Sequence, residues 1–242
     1  MTIAKNAWQY FVTNYQPTTG LVNAVNKYPS TTMWDSASYL AALTAARELG
    51  IIDKAEFDRR MLKFLATLNT LVLFRNELPN KAYNTISGQK VDYTNKPGEI
   101  GFSALDIGRM LVWLKIIKER YPEYGNSIDN VVLGWDFSHA IDPCGTLYGA
   151  YLENGQPKYV QEGRLGYEEY GAAGFQLQLQ MGIAGEALQH RPVGHRRTAV
   201  FPIHAHLLPV GGVAADGRVH SAAVLPQAAH AHRLVLPVKG VI

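Results

Sequence analysis

Five carboxylates and four aromatic rings are the side chains of this sequence best suited to chemistry. Asp35 follows Trp34 at the head of an apolar run, Asp106 stands four residues after Phe102, and Glu162, Glu168 and Glu169 surround Tyr167 and Tyr170 in YVQEGRLGYEEY. Aromatic faces beside carboxylates suit carbohydrate rings, which present C–H faces and hydroxyl rims. Breaking a glycosidic bond takes two carboxyl groups, one protonated as acid and one ionised as base or nucleophile. Glu162 is the leading acid candidate, Asp35 its leading partner, and Glu169 a third catalytic candidate. Asp35 and Glu162 come from different segments, so a central pocket could bring them face to face. Glu168 and Glu169 are neighbours, and on a helix they point about 100° apart, so at most one reaches a given spot. Trp34, Phe102 and Tyr167 are the candidate sugar platforms.

Each of these residues also has a structural reading. A carboxylate at a helix start, such as Asp35, is favoured there by the helix dipole alone. Asp106 lies one turn inside its helix, and pairing with Arg109 three residues on makes a structural role the better reading. A lone aromatic is more often core than platform. Other chemistries find no residues: there is no Gly-rich phosphate loop before a helix, no GxSxG elbow, no HExxH and no zinc-type Cys/His set. No metal or other cofactor is therefore expected.

The elements that must position these side chains are helical. Residues 4–15 have a helical apolar rhythm, and a long loop over 16–32 leads to Thr32, a plausible cap for a buried helix from about Trp34 to Leu49. Asp53 caps an amphipathic helix with Phe57, Met61, Phe64, Leu65 and Leu68 along one stripe. Residues 74–98 change character and read as a β-hairpin or a structured excursion, after which GFSALDIGR opens a second apolar helix ending at Tyr121-Pro122. SIDNVVLGWDFSHAI is amphipathic again, and Asn154-Gly155 signals a hairpin before a third helix start at Tyr167. Aligning Trp34, Phe102 and Tyr167 gives steps of 68 and 65 residues. The fold class expected is all-α: helical hairpins with inner and outer members in a curved or closed array, with short β-hairpin excursions.

Composition is that of a globular chain, with 47% hydrophobic and 18% charged residues, and no apolar run is long enough to span a membrane. The lone Cys144 excludes an internal disulfide. The net charge of +3 is uneven: residues 176–242 carry six basic side chains against Glu186 and Asp216, which leaves residues 1–175 at −1. No nucleic-acid footprint is implied. That tail holds seven of the eight His and no Tyr, Trp or Asn. A metal-binding tail, an Ala/Pro-rich linker and a shifted reading frame of GC-rich DNA are the three readings, and the last is favoured. Residues 178–242 are accordingly expected to be irregular, low in complexity, and frame-shifted or disordered. The coding DNA beyond codon 176 decides between them.

The stretches TTGLVNAVNKYPSTTMWDSASYLAAL, ELPNKAYNT, GFSALDIGRMLVWL and YVQEGRLGYEEYGAAGFQL resemble a bacterial domain family of uncharacterised exported proteins. That family is similar to the glucoamylase-like (α/α) toroid proteins and, distantly, to bacterial β-1,2-glucanases. The resemblance covers about residues 4–177. It implies an incomplete (α/α) toroid over residues 1–177 and glycoside hydrolysis on a glucan-type polysaccharide. By position, Trp34, Asp35, Glu162, Arg164, Tyr167, Glu168 and Glu169 match its motif residues, with Arg164 and Glu168 among those expected to hold substrate. A full ring has six hairpins and these repeats supply about three, so the resemblance implies a fragment that is inactive by itself. It also implies an exported or periplasmic location, although MTIAKNAWQYFVTNY shows no signal-peptide pattern. A non-catalytic glycan-binding or envelope assembly protein on the same fold is the alternative.

Overall fold

Thr32 ends an extended stretch, and its hydroxyl accepts the N–H of Asp35, starting α2 (Met33–Glu48). Ser103 does the same for Asp106 at the head of α4 (Ala104–Arg120). α6 (Tyr167–Leu179) begins directly after Gly166. Each hydroxyl satisfies one of the N–H groups that a helix start leaves without a partner. The computed structural model describes residues 1–163 and 166–179. Arg164 and the tail expected over 178–242, beyond the last turn of α6, lie outside the described residues.

The described residues are helix-rich with two small sheets. α4 packs against both α2 and α6, and these three form an inner row. α1 (Thr2–Thr13) lies on α2, α3 (Lys54–Thr70) on α2, and α5 (Gly125–Leu133) on α3 and α4. α2, α4 and α6 thus make a row of contacting helices, with α1, α3 and α5 packed beside it. α3 starts at Asp53, whose carboxylate accepts the Glu56 N–H at 2.8 Å. It buries Phe57, Met61, Phe64, Leu65 and Leu68, each burial contributing roughly 1.5–3 kcal/mol.

The inner helices approach unusually closely where α4 meets α6. Gly108 faces Gly171 and Gly174, and a Cβ on Gly108 would lie 2.6 Å from the Gly171 Cα. Backbone therefore packs on backbone there, as the small residues of GAAGF allow.

The excursions hold the helix heads in place. β1 (Ser30–Thr31) pairs antiparallel with β2 (Tyr83–Asn84), joining the entrance of α2 to the 74–98 segment. That segment is structured: Tyr83 and Lys90 make an isolated antiparallel bridge, Val91 and Pro97 another, and turns stand between them in place of a full second strand. The Asn84 carboxamide oxygen accepts the N–H groups of Ile86 and Ser87, and the Asp92 carboxylate accepts those of Thr94 and Lys96. Side chains that satisfy local backbone in this way compete with a ladder. β3 (Tyr148–Glu153) and β4 (Gln156–Gln161) form the expected hairpin, with Asn154 and Gly155 both at positive φ. Ala150 N–H donates to the Phe102 carbonyl at 2.8 Å, which fixes β3 beside the head of α4.

A buried polar lock ties the long 14–29 loop to the excursion. Thr19 donates its hydroxyl to the Thr85 carbonyl, and Thr85 donates its own to the Asn23 carboxamide at 2.5 Å. Asn14, Thr19, Asn23 and Thr85 are all buried. Thr85→Val keeps the shape and removes the donor to Asn23. Asn23 Oδ1 keeps the Gln16 carboxamide as a donor at 3.2 Å, so the loss should be that of one hydrogen bond, about 0.5–1.5 kcal/mol in urea unfolding; an unchanged midpoint would contradict this account of the loop.

Candidate active site

The inner helices share one feature at their heads: the third residue of each is a carboxylate. These are Asp35 in α2, Asp106 in α4 and Glu169 in α6. Two of the three are tied to their own helix starts. Asp35 Oδ2 accepts the Thr32 hydroxyl at 2.8 Å, and Glu169 Oε2 accepts the Gly166 N–H at 2.6 Å. At the head of α4 the cap hydroxyl serves two carboxylates, since Ser103 also hydrogen-bonds the Asp106 side chain. Ser103 Oγ donates to Glu162 Oε2 at 2.9 Å.

Glu162 is the first residue after β4, and its N–H extends the hairpin by donating to the Leu147 carbonyl at 2.9 Å. The side chain then crosses to the head of α4. There Oε2 accepts the Ser103 hydroxyl and, more weakly, the Leu105 N–H at 3.3 Å. The carboxyl lies over Gly149, where a Cβ would come within 2.9 Å of the Glu162 Cγ. Gly149→Ala should therefore displace Glu162 and break its bond to Ser103. A crystal structure of the variant with the Glu162–Ser103 contact intact would refute this.

Trp34, Leu105, Asp106, Gln161, Glu162, Gly163 and Tyr167 line an open cleft of about 440 Å³. Trp34 is the first ring of its wall. The Arg109 guanidinium covers one face of the indole at 4.1 Å from the ring centre, and Tyr167 and Tyr170 stand 5.6 and 6.4 Å away. Tyr167 and Tyr170 keep much of their surface in solvent. The Glu168 carboxylate lies against Gly163, at 2.6 Å from where a Cβ would stand.

Two readings of the sequence are corrected here. Asp106 and Arg109 form no ion pair among the described residues; Arg109 goes to Trp34 across the α2–α4 contact. Asp106 instead lines the cleft, and its carboxyl is pushed up from 3.8 to about 6. Burial is the first cause, followed by the charges of Glu162 and Asp35, while the Ser103 hydroxyl and Lys81 offset a part. Phe102 is fully buried, packed on Phe74 and Tyr159 at ring distances of 6.0 and 6.1 Å, and has no face to offer a sugar. Its place as cleft wall is taken by Leu105, because the α2 and α4 heads correspond by cap residue. Thr32 matches Ser103, so Trp34 matches Leu105 and Asp35 matches Asp106.

The structure thus brings Trp34, Glu162 and Tyr167 to one cleft, with Glu168 beside it. It sets Asp35 just behind, close enough to raise Asp106, and leaves Glu169 exposed at its helix start. Gln161 and Leu105 are lining residues that the sequence reading did not single out, and Asp106, one of its candidate carboxylates, was read there as structural. The signal for Asp106 was the shared hydroxyl-x-x-Asp pattern at the heads of α2 and α4. Among the described residues, no cluster of three or more His, Cys, Asp or Glu could hold a metal ion, and no helix is long and apolar enough to cross a membrane.

Residues 2–202 match a family model described as a protein of unknown function, DUF3131. No curated protein matches the chain. Among solved structures, a glucoamylase-like protein of Bacteroides uniformis aligns at a TM-score of 0.53 and 15% identity, covering 64% of this chain and 39% of that one. A β-1,2-glucanase of Parabacteroides distasonis aligns at 0.51 and 17%, covering 64% and 23%. An endo-β-1,2-glucanase of Chitinophaga pinensis, solved with sophorotriose and glucose, aligns at 0.50 and 16%, covering 61% and 38%. At these identities the likeness is one of fold, and the chain spans about two fifths or less of each protein's length.

Proposed function

The chain belongs to the DUF3131 family, and from that premise we propose that residues 1–177 are part of an (α/α) toroid that hydrolyses a glucan-type polysaccharide with paired carboxylates. The observation that carries the reading is the unlike pair in one cleft: Asp106, raised to about 6, beside Glu162, whose oxygen accepts two donors. A carboxyl raised into this range suits the acid's role, and its neighbour in the cleft that of base or nucleophile. Asp106 protonates the leaving oxygen, and Glu162 serves as base or nucleophile. Asp35 contributes negative charge that keeps the proton on Asp106. Trp34 and Tyr167 hold the sugar ring, with Arg109 fixing the indole from behind. The glucanase fold neighbours support a glucan as substrate.

Hydrolysis of a panel of β-glucans, β-1,2-linked among them, by a protein that carries these residues within a closed ring tests this. Glu162→Gln should lower kcat by about 100-fold or more, as loss of a positioned acid or base does. Equal turnover by the variant would remove Glu162 from the chemistry. A second reading, non-catalytic glycan binding on the same fold, is favoured by one observation: the Glu162 bonds to Ser103 and Leu105 also cap α4. Binding without turnover, kept in Glu162→Gln and lost in Trp34→Ala, would establish it.

A further inference from the structure

We propose that Glu77 is a positioning residue for Glu162: together with Arg75 it makes the turn over residues 74–78 a two-point buckle on the β3–β4 hairpin, and so holds the Glu162 carboxyl at the head of α4. The inference deepens the glycosidase reading and rests on it for its catalytic meaning, while the buckle stands on its own contacts.

The turn has a costly backbone. Arg75 and Asn76 stand at φ 50° and 59°, in the left-handed region that residues with a Cβ seldom adopt. Such a conformation persists where the surrounding contacts over-determine it. Here the Phe74 N–H closes the turn on the Leu78 carbonyl at 2.8 Å. The Arg75 guanidinium donates to the Gly155 carbonyl at 2.7 Å, at the tip of the hairpin, and faces Glu99 at 3.4 Å. Two residues on, the Glu77 carboxylate accepts the Tyr159 hydroxyl, which lies 2.8 and 3.1 Å from its two oxygens. One short turn therefore grips β4 along its length and the hairpin at its tip.

Glu77 gathers more than the strand. His139 Nδ1 lies 3.2 Å from the same carboxylate, and the His139 ring stacks on Tyr159 at 4.4 Å. The Glu77 carbonyl accepts the Asp136 N–H at 2.9 Å, which brings the segment after α5 to the same point. Burial, and then the Glu77 carboxylate, push the Tyr159 hydroxyl up to about 12, so it stays a donor. The Tyr159 ring also packs on Phe102 at 6.1 Å. Phe102 directly precedes Ser103, whose hydroxyl bonds Glu162, and Tyr159 stands three residues before Glu162. The strand end and the helix head that Glu162 bridges are thus both set against one ring. Locking that ring locks the span that the Glu162 side chain crosses, and a site is only as accurate as the groups that lock it. The Tyr159 hydroxyl adds nothing to the β3–β4 ladder, where Tyr159 pairs with Ala150 through its backbone. Its bond to Glu77 serves placement.

The experiment follows backbone amide exchange of the 242-residue chain in wild type, Glu77→Ala, Glu77→Gln, Tyr159→Phe and Lys158→Ala. Phenylalanine keeps the ring on Phe102 and His139 and loses only the hydroxyl, which guards against a variant that fails to fold. The Glu162 N–H donates to the Leu147 carbonyl, and its exchange should quicken about tenfold or more in Glu77→Ala and Tyr159→Phe. It should keep the wild-type rate in Lys158→Ala, whose side chain pairs with the exposed Glu153. It should also stay near wild type in Glu77→Gln, whose carboxamide oxygen still accepts the Tyr159 hydroxyl. The amides of α2 and α3 should not change. An unaltered Glu162 rate in Tyr159→Phe and in folded Glu77→Ala overturns the proposal, and so does an equal acceleration across α2 and α3. In a protein that carries these residues within a closed ring, both variants should lower kcat on β-glucan by up to about 100-fold. KM should hold, because Trp34 and Tyr167 are untouched, and Glu77→Gln should restore kcat. A rise in KM at unchanged kcat would overturn the positioning role. If that ring protein cleaves no glucan, the glycosidase reading falls, and the exchange rates still decide whether the buckle holds Glu162.

Discussion

Asp106→Asn should abolish glucan turnover and stabilise the fold at the same time. Loss of a positioned general acid lowers the rate by about 10²–10⁴-fold. The stability gain follows from proton linkage. The Asp106 carboxyl is raised from 3.8 to about 6 in the folded chain, so between those values the folded state binds the proton and the unfolded state does not. Stability contributed by this group is therefore complete below about pH 4 and is lost as pH rises through 6. Above that, the folded chain holds an ionised carboxylate in a place that disfavours it, at a cost of about 3 kcal/mol. Asparagine keeps the shape and has no charge. Urea unfolding should show Asp106→Asn more stable than wild type by up to about 3 kcal/mol at pH 7.5, and level with it near pH 3.5. A variant less stable than wild type at pH 7.5 would mean that the Asp106 charge is compensated, and the acid assignment would fail. A residue that weakens the fold while lining a cleft is what a stability–activity trade-off produces.

The same residue shows where the sequence was legible and where it was not. Helix heads could be read because their determinants are local: Thr32 and Asp53 cap α2 and α3 as their types predict, and Asn154-Gly155 turns the β3–β4 hairpin. The alternation of buried and amphipathic helices was legible from small residues in one and a stripe in the next. The partners of Asp106 were not, because they come from far along the chain. An Asp–Arg spacing of three residues normally suggests an ion pair on a helix surface. Here Arg109 is drawn away by Trp34 of α2, and Ser103 is shared with Glu162, 59 residues on. Phe102 failed as a platform for a related reason. Its repeat position was judged by aromatic type, whereas the register of the inner helices is set by the cap residues, one step before each helix begins.

The glycines at the α4–α6 crossing give the second large effect, and they grade it. A Cβ on Gly174 would stand 2.8 Å from the Gly108 carbonyl carbon and 3.0 Å from its Cα; one on Gly108 would meet the Gly171 backbone at 2.6 and 2.7 Å. Backbone cannot swing aside as a side chain can, so the helices themselves must separate. Gly174→Ala and Gly108→Ala should each cost at least about 3 kcal/mol, the upper end for overpacking. In thermal unfolding that is a fall of roughly 6–12 °C for a domain of this size. Gly171→Ala meets the side chains of Leu147 and Leu105 at 3.2 and 3.4 Å, which can shift by a few tenths of an ångström, and the Leu105 Cα at an ordinary contact of 3.5 Å. Its cost should stay near 1 kcal/mol or below, at about the lower end of that range. Gly125→Ala, at the start of α5 with nothing nearer than 3.8 Å, should be neutral or stabilising by up to about 1 kcal/mol. The crossing also sets the distance between Trp34 on α2 and Tyr167 on α6, since both helices are spaced by α4. Widening it should therefore loosen the sugar platform before the chain unfolds. KM for glucan should rise in Gly174→Ala at temperatures where its circular dichroism is still that of wild type. Equal melting temperatures across all four variants would mean that α4 and α6 do not meet backbone to backbone, and the cleft built on that contact would have to be redrawn.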